Sequence, residues 1–152
     1  METLILDASP LVAYFDADEP HHSWSVKQFD SLKPPLLSCE AAIAEAVYLI
    51  DSRGGDSSRI FGFLREGVIQ LPFRLADETE AVIALRRRYS DVPMSLADAC
   101  LLRMTETCSK PRVFTLDSDF KIYRRHGRQV VPLIFPDQSC RQNFAMRLPR
   151  TR

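Results

Sequence analysis

Acidic side chains follow two short apolar segments of the sequence. Asp7 comes directly after Leu4–Leu6, and Asp117 comes after Val113–Leu116, with Asp119 two residues further on. Each apolar segment has the length of a buried strand, so these acids are expected at strand ends, and open α/β sheets bind ligands at the carboxyl edge. The alternatives are structural: Asp7 would cap a helix that begins near Pro10, and Asp117 or Asp119 would form a turn or a cap.

Two further acids interrupt apolar helical segments. Glu45 is the only charged residue of the segment 41–50, and it shares a helical face with Ala42 and Leu49, so it is expected to point inward. Asp98 lies within the apolar segment 92–102, three residues after Ser95. The alternatives are an exposed Glu45 and a capping box between Ser95 and Asp98. A buried, unpaired carboxylate is costly unless it is protonated, paired or bound to a cation.

These four acids predict one acidic pocket that binds a divalent cation. Like charges in close proximity repel, and a divalent cation relieves the repulsion most simply. All candidate ligands are oxygens, which favours Mg²⁺ or Mn²⁺ over Zn²⁺. A metal ion activates water and stabilises the charge that develops on a phosphate, so the pattern indicates phosphodiester hydrolysis. The predicted catalytic and metal-binding residues are Asp7, Glu45, Asp98 and Asp117, with Asp119 as a further metal ligand.

The elements that must position these acids alternate between short strands and longer helices. Such alternation predicts a mostly parallel sheet with helices on both faces, an α/β sandwich. The predicted strands are 3–6, 36–38, 68–71, 112–116 and 129–131. The predicted helices include one that starts around Ser9 and Pro10, and the segments 56–65, 76–89 and 95–108.

Composition limits the class of protein. A chain of 152 residues with 45% apolar and 26% charged residues is expected to form one globular domain. Its four cysteines are too widely spaced for a zinc or thioredoxin motif, and no segment is long and apolar enough for a membrane span, which predicts a reducing, cytoplasmic location. Residues 121–152 hold eight basic residues and one acidic residue, a net charge of +7, against −7 for residues 1–120. The basic end suits a polyanionic substrate, and the alternative is a solvated face with a loose tail.

Four sequence motifs together resemble the PIN-domain ribonucleases, particularly the VapC-type toxins of toxin–antitoxin pairs. The resemblance covers residues 3–135, and all four motifs occur in family order. The motifs are Leu6-Asp7-Ala8-Ser9-Pro10-Leu11, Ile43-Ala44-Glu45-Ala46, Ser95-Leu96-Ala97-Asp98-Ala99 and Phe114-Thr115-Leu116-Asp117-Ser118-Asp119-Phe120.

This resemblance implies a specific function and specific partners. It implies a PIN-like three-layer sandwich over residues 1–135, whereas the basic extension over 136–152 departs from the minimal family pattern and its role stays open. It also implies an endoribonuclease that depends on Mg²⁺ or Mn²⁺, with Asp7, Glu45, Asp98 and Asp117 as metal-binding acids and Ser9 and Asp119 in support. A homodimer and a small antitoxin are the implied partners. The alternative function is a PIN-fold module that binds RNA or protein without turnover, whereas a haloacid dehalogenase-type phosphatase would need an acid at the position of Ser9.

Overall fold

The computed structural model describes residues 1–137, and the structural statements below concern that part of the chain. Five parallel strands form the main sheet, in the spatial order β3-β2-β1-β4-β7, and an antiparallel hairpin pairs β5 with β6. In chain order the strands are β1 (Thr3–Leu6), β2 (Leu36–Leu37), β3 (Ile69–Gln70), β4 (Pro111–Phe114), β5 (Arg124–Arg125), β6 (Gln129–Val130) and β7 (Leu133–Ile134).

Six α-helices fill the intervals between the strands, as the sequence pattern predicts. Their bounds lie within two residues of the predicted ones wherever a segment was specified. They are α1 (Ala8–Phe15), α2 (His22–Ser31), α3 (Glu40–Ser52), α4 (Ser58–Arg65), α5 (Leu75–Arg88) and α6 (Leu96–Thr107), and a short 3-10 helix covers Ser118–Lys121.

Alternating side chains of the central strands build a separate core on each face of the sheet. Leu4 and Leu6 of β1 pack into one core with α1, α3 and α4, whereas Ile5 between them packs into the other with α5 and α6. This alternation follows from the pleat of a strand, which sends successive side chains to opposite faces. The predicted three-layer α/β sandwich is therefore confirmed.

The strand order places a topological switch point between β1 and β4. The chain builds β1, β2 and β3 outward in one direction and then returns to place β4 on the other side of β1. The connections after the two central strands therefore diverge and leave a crevice at their carboxyl ends, which is where open α/β sheets bind ligands. The two segments stay tied together there, because the Asp7 amide donates to the Phe114 carbonyl oxygen at 3.0 Å.

The fifth strand of the main sheet differs from the prediction. Residues 129–131 were expected to join the sheet, but Gln129 and Val130 are exposed and pair with β5 in the hairpin. The outer strand beside β4 is instead β7, whose Ile134 is buried. Pro132 separates the two strands, and the apolar segment after it supplies the side chains that the core requires.

The remaining sequence predictions concern cysteines, membrane segments and the basic extension. Cys39 and Cys100 are buried free thiols, as expected for small core residues, and Cys108 is partly exposed. Within residues 1–137, no helix has both the length and the apolar character that a bilayer crossing requires. Cys140 and most of the predicted extension over 136–152 lie outside the described residues.

Candidate active site

Asp7 lies where β1 meets α1, and it is 4% exposed. Its backbone is extended, and its Oδ1 accepts a hydrogen bond from the Ala8 amide at 2.7 Å, so it is the N-terminal cap of α1. Its Oδ2 accepts from the Thr115 hydroxyl at 2.7 Å and, more weakly, from the Ser9 hydroxyl at 3.4 Å. The capping alternative is therefore correct, and it coexists with a position at the switch point.

Thr115 links the two central strand ends. Besides donating to Asp7, its hydroxyl accepts from the Asp117 amide at 2.9 Å, so one buried side chain contacts both acidic segments. Ser9 makes a second link, because its hydroxyl accepts from the Leu116 amide at 3.0 Å. These two hydroxyls fix the Asp117 segment next to Asp7.

Asp117 and Asp119 begin the 3-10 helix that follows β4. The Asp117 carboxylate accepts from the Asp119 amide at 2.9 Å and caps this helix, so the predicted turn role is also correct. The second Asp117 carboxylate oxygen has no hydrogen-bond donor within residues 1–137. Asp119 is partly exposed, and the negative charge of Asp117 acts on it.

Asp98 lies in the first turn of α6 and takes part in a capping box. The Ser95 hydroxyl accepts from the Asp98 amide at 3.0 Å, and the Ser95 amide faces Asp98 Oδ2 at 3.4 Å. The same Oδ2 accepts from the hydroxyl of the buried Tyr123 at 3.0 Å. Asp98 is 7% exposed, so the acid that caps α6 is also a buried one.

Glu45 corrects one prediction. It was expected to point inward, but it is exposed on α3, because the helix packs through Ala42, Ile43, Ala46 and Ile50. Glu45 lies beside this apolar stripe, at the edge that faces the other acids. Partial burial raises the pKa of Glu45, and the charges of Asp98 and Asp117 raise it further. Glu45 therefore borders the pocket from its solvent side.

The four acids share one electrostatic environment. Burial raises the pKa of Asp7 to about 7, against opposing hydrogen bonds from Thr115 and Ala8, and the charges of Asp98 and Glu45 add to the rise. Burial also raises the pKa of Asp98; the Tyr123 hydroxyl opposes this rise, and Asp117 reinforces it. Each carboxylate thus disfavours ionisation of its neighbours, as expected of like charges in a partly desolvated site.

No basic side chain within residues 1–137 neutralises this pocket. The ion pairs of this region involve other acids, namely Asp16, Glu19, Asp77, Glu78, Glu106 and Glu2. The negative charge of the pocket therefore has no internal counter-ion among the described side chains.

The donor set fits a hard divalent cation. Carboxylate oxygens are the ligands that Mg²⁺ and Mn²⁺ prefer, and a bound cation would lower the raised pKa values. Within residues 1–137, no group of three or more His, Cys, Asp or Glu side chains is placed so that it could hold a metal ion together. One or two of these carboxylates would therefore contact the ion directly, which is the usual number for Mg²⁺, because this ion keeps several waters.

The buried Cys39 thiol lies close enough to the acidic pocket for the charge of Asp7 to act on it. A hydrogen bond with Cys100 and burial raise the pKa of the Cys39 thiol, and the charge of Asp7 adds to the rise. Thiolate is the form of cysteine that ligates metals. Cys39 therefore stays protonated and leaves the ligand set to oxygen.

Two residues that hydrogen-bond to the acids, Thr115 and Tyr123, were not predicted from the sequence. Thr115 lies within a quoted motif, two residues before Asp117, and a polar residue at the end of an apolar strand is the signal that could have identified it. Tyr123 carries no local signal, because its contact with Asp98 joins residues 25 positions apart through the tertiary fold.

Comparisons with known proteins agree with this fold. A family model described as the PIN domain matches residues 4–125. The curated protein Ribonuclease VapC26 of Mycobacterium tuberculosis (strain ATCC 25618 / H37Rv) is 31% identical over 133 residues, which is 86% of this chain and 93% of that protein. The crystal structure of Mycobacterium tuberculosis VapC20, a sarcin-ricin loop cleaving toxin, is similar with a TM-score of 0.71 and 19% identity, over 86% of this chain and 100% of that one.

Proposed function

Because the chain belongs to the PIN-domain family, we propose that it is an endoribonuclease that hydrolyses RNA phosphodiester bonds with the help of Mg²⁺ or Mn²⁺. The observation that carries this proposal is the group of Asp7, Glu45, Asp98 and Asp117 at the switch point, which has no basic partner within residues 1–137. Burial and neighbouring carboxylates raise the pKa values of Asp7, Glu45 and Asp98. The similarity to a protein named Ribonuclease VapC26 supports RNA as the substrate.

The chain's own residues have separate tasks in this reaction. Asp7, Asp98 and Asp117 would hold the cation, one or two of them directly and the rest through its waters, with Glu45 and Asp119 at the open side of the pocket. When bound, the cation supplies water activation and neutralises charge that develops on the phosphate. Thr115 and Tyr123 hold the carboxylates of Asp7 and Asp98 in fixed orientations through hydrogen bonds of 2.7 and 3.0 Å. Ser9 fixes the start of the Asp117 segment.

We propose further that the ribonuclease is the toxin of a toxin–antitoxin pair. The similarity to VapC26 and to the toxin VapC20 supports this role. A small antitoxin protein, an RNA substrate and a second copy of the chain are the proposed partners, and the cytoplasm is the proposed location. Growth arrest on expression, relieved by Asp98→Asn, would test the toxin role independently of any partner.

The test of the nuclease is RNA cleavage by purified protein and by variants of the pocket. Asp7→Asn, Asp98→Asn and Asp117→Asn are each expected to lower the cleavage rate by at least about a hundredfold, because each removes a charged oxygen ligand. Glu45→Gln is expected to have a smaller effect, since this side chain is exposed. Excess EDTA should abolish cleavage by the wild type, and Mn²⁺ should restore it.

Matched controls lie on exposed helix positions. Asp51→Asn on α3 and Glu80→Gln on α5 remove the same charges from side chains that are exposed and outside the pocket. Both variants should cleave RNA within about twofold of the wild-type rate, because exposed charges contribute little on their own. Cleavage that survives Asp7→Asn, Asp98→Asn and Asp117→Asn alike would refute the nuclease, and RNA binding with no cleavage would favour the binding module instead.

A further inference from the structure

Arg124 begins the β5–β6 hairpin and directly follows Tyr123, whose hydroxyl contacts Asp98. We propose that its guanidinium group binds a phosphate of the RNA strand beside the pocket and so positions the substrate. This inference rests on the proposed ribonuclease function, and it assigns to Arg124 a role that neither the acidic pocket nor the family motifs provide.

The backbone places Arg124 within one residue of the pocket. The preceding residue, Tyr123, donates from its hydroxyl to Asp98 at 3.0 Å, and its amide donates to the Asp119 carbonyl oxygen at 3.1 Å. The Arg124 amide donates to the hydroxyl of Tyr89 at 2.8 Å, and the rings of Tyr89 and Tyr123 pack edge to face. The start of β5 is therefore fixed to a pair of buried tyrosines, one of which, Tyr123, contacts Asp98.

One nitrogen of the Arg124 side chain is held in place by the protein. Its Nη1 donates to the carbonyl oxygens of Lys121 at 2.7 Å, Ile122 at 3.1 Å and Tyr123 at 3.0 Å. These carbonyls belong to the end of the 3-10 helix and the residues that follow it, so the cation also compensates their negative ends. Because the guanidinium is already ordered, its side chain loses less conformational entropy when a ligand binds.

The other edge of the Arg124 guanidinium has no partner within residues 1–137. Its Nε and Nη2 make no hydrogen bond there, and no carboxylate of that region lies within ion-pair distance of the group. A planar edge with two N–H donors matches two oxygens of a phosphate, which is why arginine favours bidentate phosphate contacts. The side chain is thus ordered and charged, and its phosphate-binding edge is open.

The neighbouring Arg125 shows the contrast. Its Nε and Nη2 both donate to the Thr105 carbonyl oxygen, at 3.1 and 2.5 Å, and its Nη1 donates to Gln129 Oε1 at 3.2 Å. All three guanidinium nitrogens of Arg125 are therefore occupied, and two of them hold the hairpin against α6. Lys121, whose ammonium lies 4.1 Å from the Phe135 ring, and the exposed Arg128 add positive potential near Arg124. A basic flank of this kind attracts a polyanion that the acidic pocket alone would repel.

The test measures binding of a short fluorescent single-stranded RNA in EDTA, where cleavage is absent, over a series of salt concentrations. Arg124→Gln is expected to weaken binding by about tenfold and to reduce the slope of log K against log salt by about 0.7, the value for one phosphate contact on a single strand. Arg124→Lys keeps the charge but loses the fork, so its slope should stay near wild type while its affinity falls severalfold. With Mn²⁺ present, Arg124→Gln should raise KM and leave kcat within about twofold, as expected when uniform binding is lost.

The charge-matched control is Arg112→Gln, which removes an arginine of β4 that pairs with Glu2 at 3.2 Å, away from the acidic ends of the strands. Its affinity and salt slope should match wild type. Thermal unfolding checks the fold of each variant, and Arg124→Lys replaces Arg124→Gln if the latter does not fold.

Wild-type affinity and slope in both Arg124 variants, or an equal loss in Arg112→Gln, would overturn the inference. If wild type cleaves RNA in Mn²⁺ while the Arg124 variants bind normally, only the Arg124 role fails. If wild type binds RNA in EDTA with the predicted Arg124 dependence but never cleaves it, only the proposed hydrolysis fails.

Discussion

Asp7 has two roles with opposite requirements for its charge. As the cap of α1 it accepts hydrogen bonds from the Ala8 amide and the Thr115 hydroxyl, and these bonds favour the carboxylate. Burial of Asp7 beside other acids disfavours its charged form. This effect outweighs the hydrogen bonds, because the pKa of Asp7 rises to about 7. In the absence of a cation, Asp7 is therefore a strained position of the native state.

The stability of the metal-free protein is expected to fall as pH rises through this range. Between pH 3.8, the ordinary pKa of an aspartate, and about 7, the folded state retains a proton that the unfolded chain has released. Asp7→Asn removes the cost of burying a charged carboxylate, and it weakens the hydrogen bond from the Thr115 hydroxyl. Near pH 8 in EDTA this substitution should therefore raise the free energy of unfolding by about 1–2 kcal/mol. Urea unfolding of both proteins at several pH values measures the effect.

The pH dependence supplies the control for this prediction. Near pH 4 both proteins carry a neutral side chain at position 7, so the stabilisation should largely vanish there. Asp51→Asn, at an exposed position of α3, should show no comparable pH-dependent gain. A variant Asp7→Asn that is less stable than wild type near pH 8 would mean that the hydrogen bonds of the carboxylate outweigh its burial.

The acids of the site could be chosen from the sequence because a charged residue in an apolar segment is conspicuous. The direction in which Glu45 points could not be predicted, because Ala42 and Leu49 place this residue at the border of the apolar face. Helical periodicity alone does not fix which side of such a border faces solvent. Tyr123 and Arg124 could not be assigned roles, because each acts through residues brought near by the fold.

Secondary structure elements were predictable where the signals are local. β1 matches its predicted bounds, and α6 begins after the Ser95 that the capping-box pattern identifies. The edge of the sheet was not predictable, because residues 129–131 and 133–134 are both short apolar segments and only tertiary packing selects β7 as the partner of β4. The hairpin that carries Arg124 was missed for the same reason.

Helix α6 depends on its capping box for both stability and the direction of Asp98. Ser95→Ala removes the hydroxyl that accepts from the Asp98 amide at 3.0 Å, which should cost about 1 kcal/mol of folding free energy. For a domain of this size that corresponds to a melting temperature about 2–4 °C lower, measured by circular dichroism. Ser95→Thr keeps an acceptor and should lose less, while Ser90→Ala in the exposed turn after α5 should leave the melting temperature unchanged. An unchanged melting temperature in Ser95→Ala would show that tertiary packing alone fixes this helix end.

At the scale of the whole molecule, topology brings together acids that lie far apart in the sequence. The switch between β1 and β4 places Asp7 and Asp117 on adjacent strand ends, and α3 and α6 bring Glu45 and Asp98 to the same crevice. The same topology carries the chain out of the pocket through Tyr123 into the basic hairpin. An acidic pocket flanked by a basic surface follows from one chain path, which would separate the proposed cation site from the proposed RNA contact.

A cation at the proposed site would couple folding to its binding. A ligand that binds only the folded state at about 100 times its Kd stabilises it by about 2.7 kcal/mol, so saturating Mn²⁺ should raise the melting temperature by about 5–10 °C. The rise should be larger near pH 8 than near pH 5.5, since protons compete for carboxylates whose pKa values are raised in the pocket. Differential scanning fluorimetry with Mn²⁺ and with EDTA measures both effects.

The pocket variants decide whether the cation acts at the proposed site. Asp98→Asn and Asp117→Asn should lose most of the Mn²⁺-dependent rise, because each removes a charged oxygen from the cluster, whereas Glu80→Gln on the exposed face of α5 should keep it. Both pocket variants should also melt no lower than wild type in EDTA near pH 8, because relief of repulsion offsets the lost hydrogen bonds. A full Mn²⁺ response in Asp98→Asn and Asp117→Asn would place the binding elsewhere on the protein and remove the physical basis for grouping these acids as a metal centre.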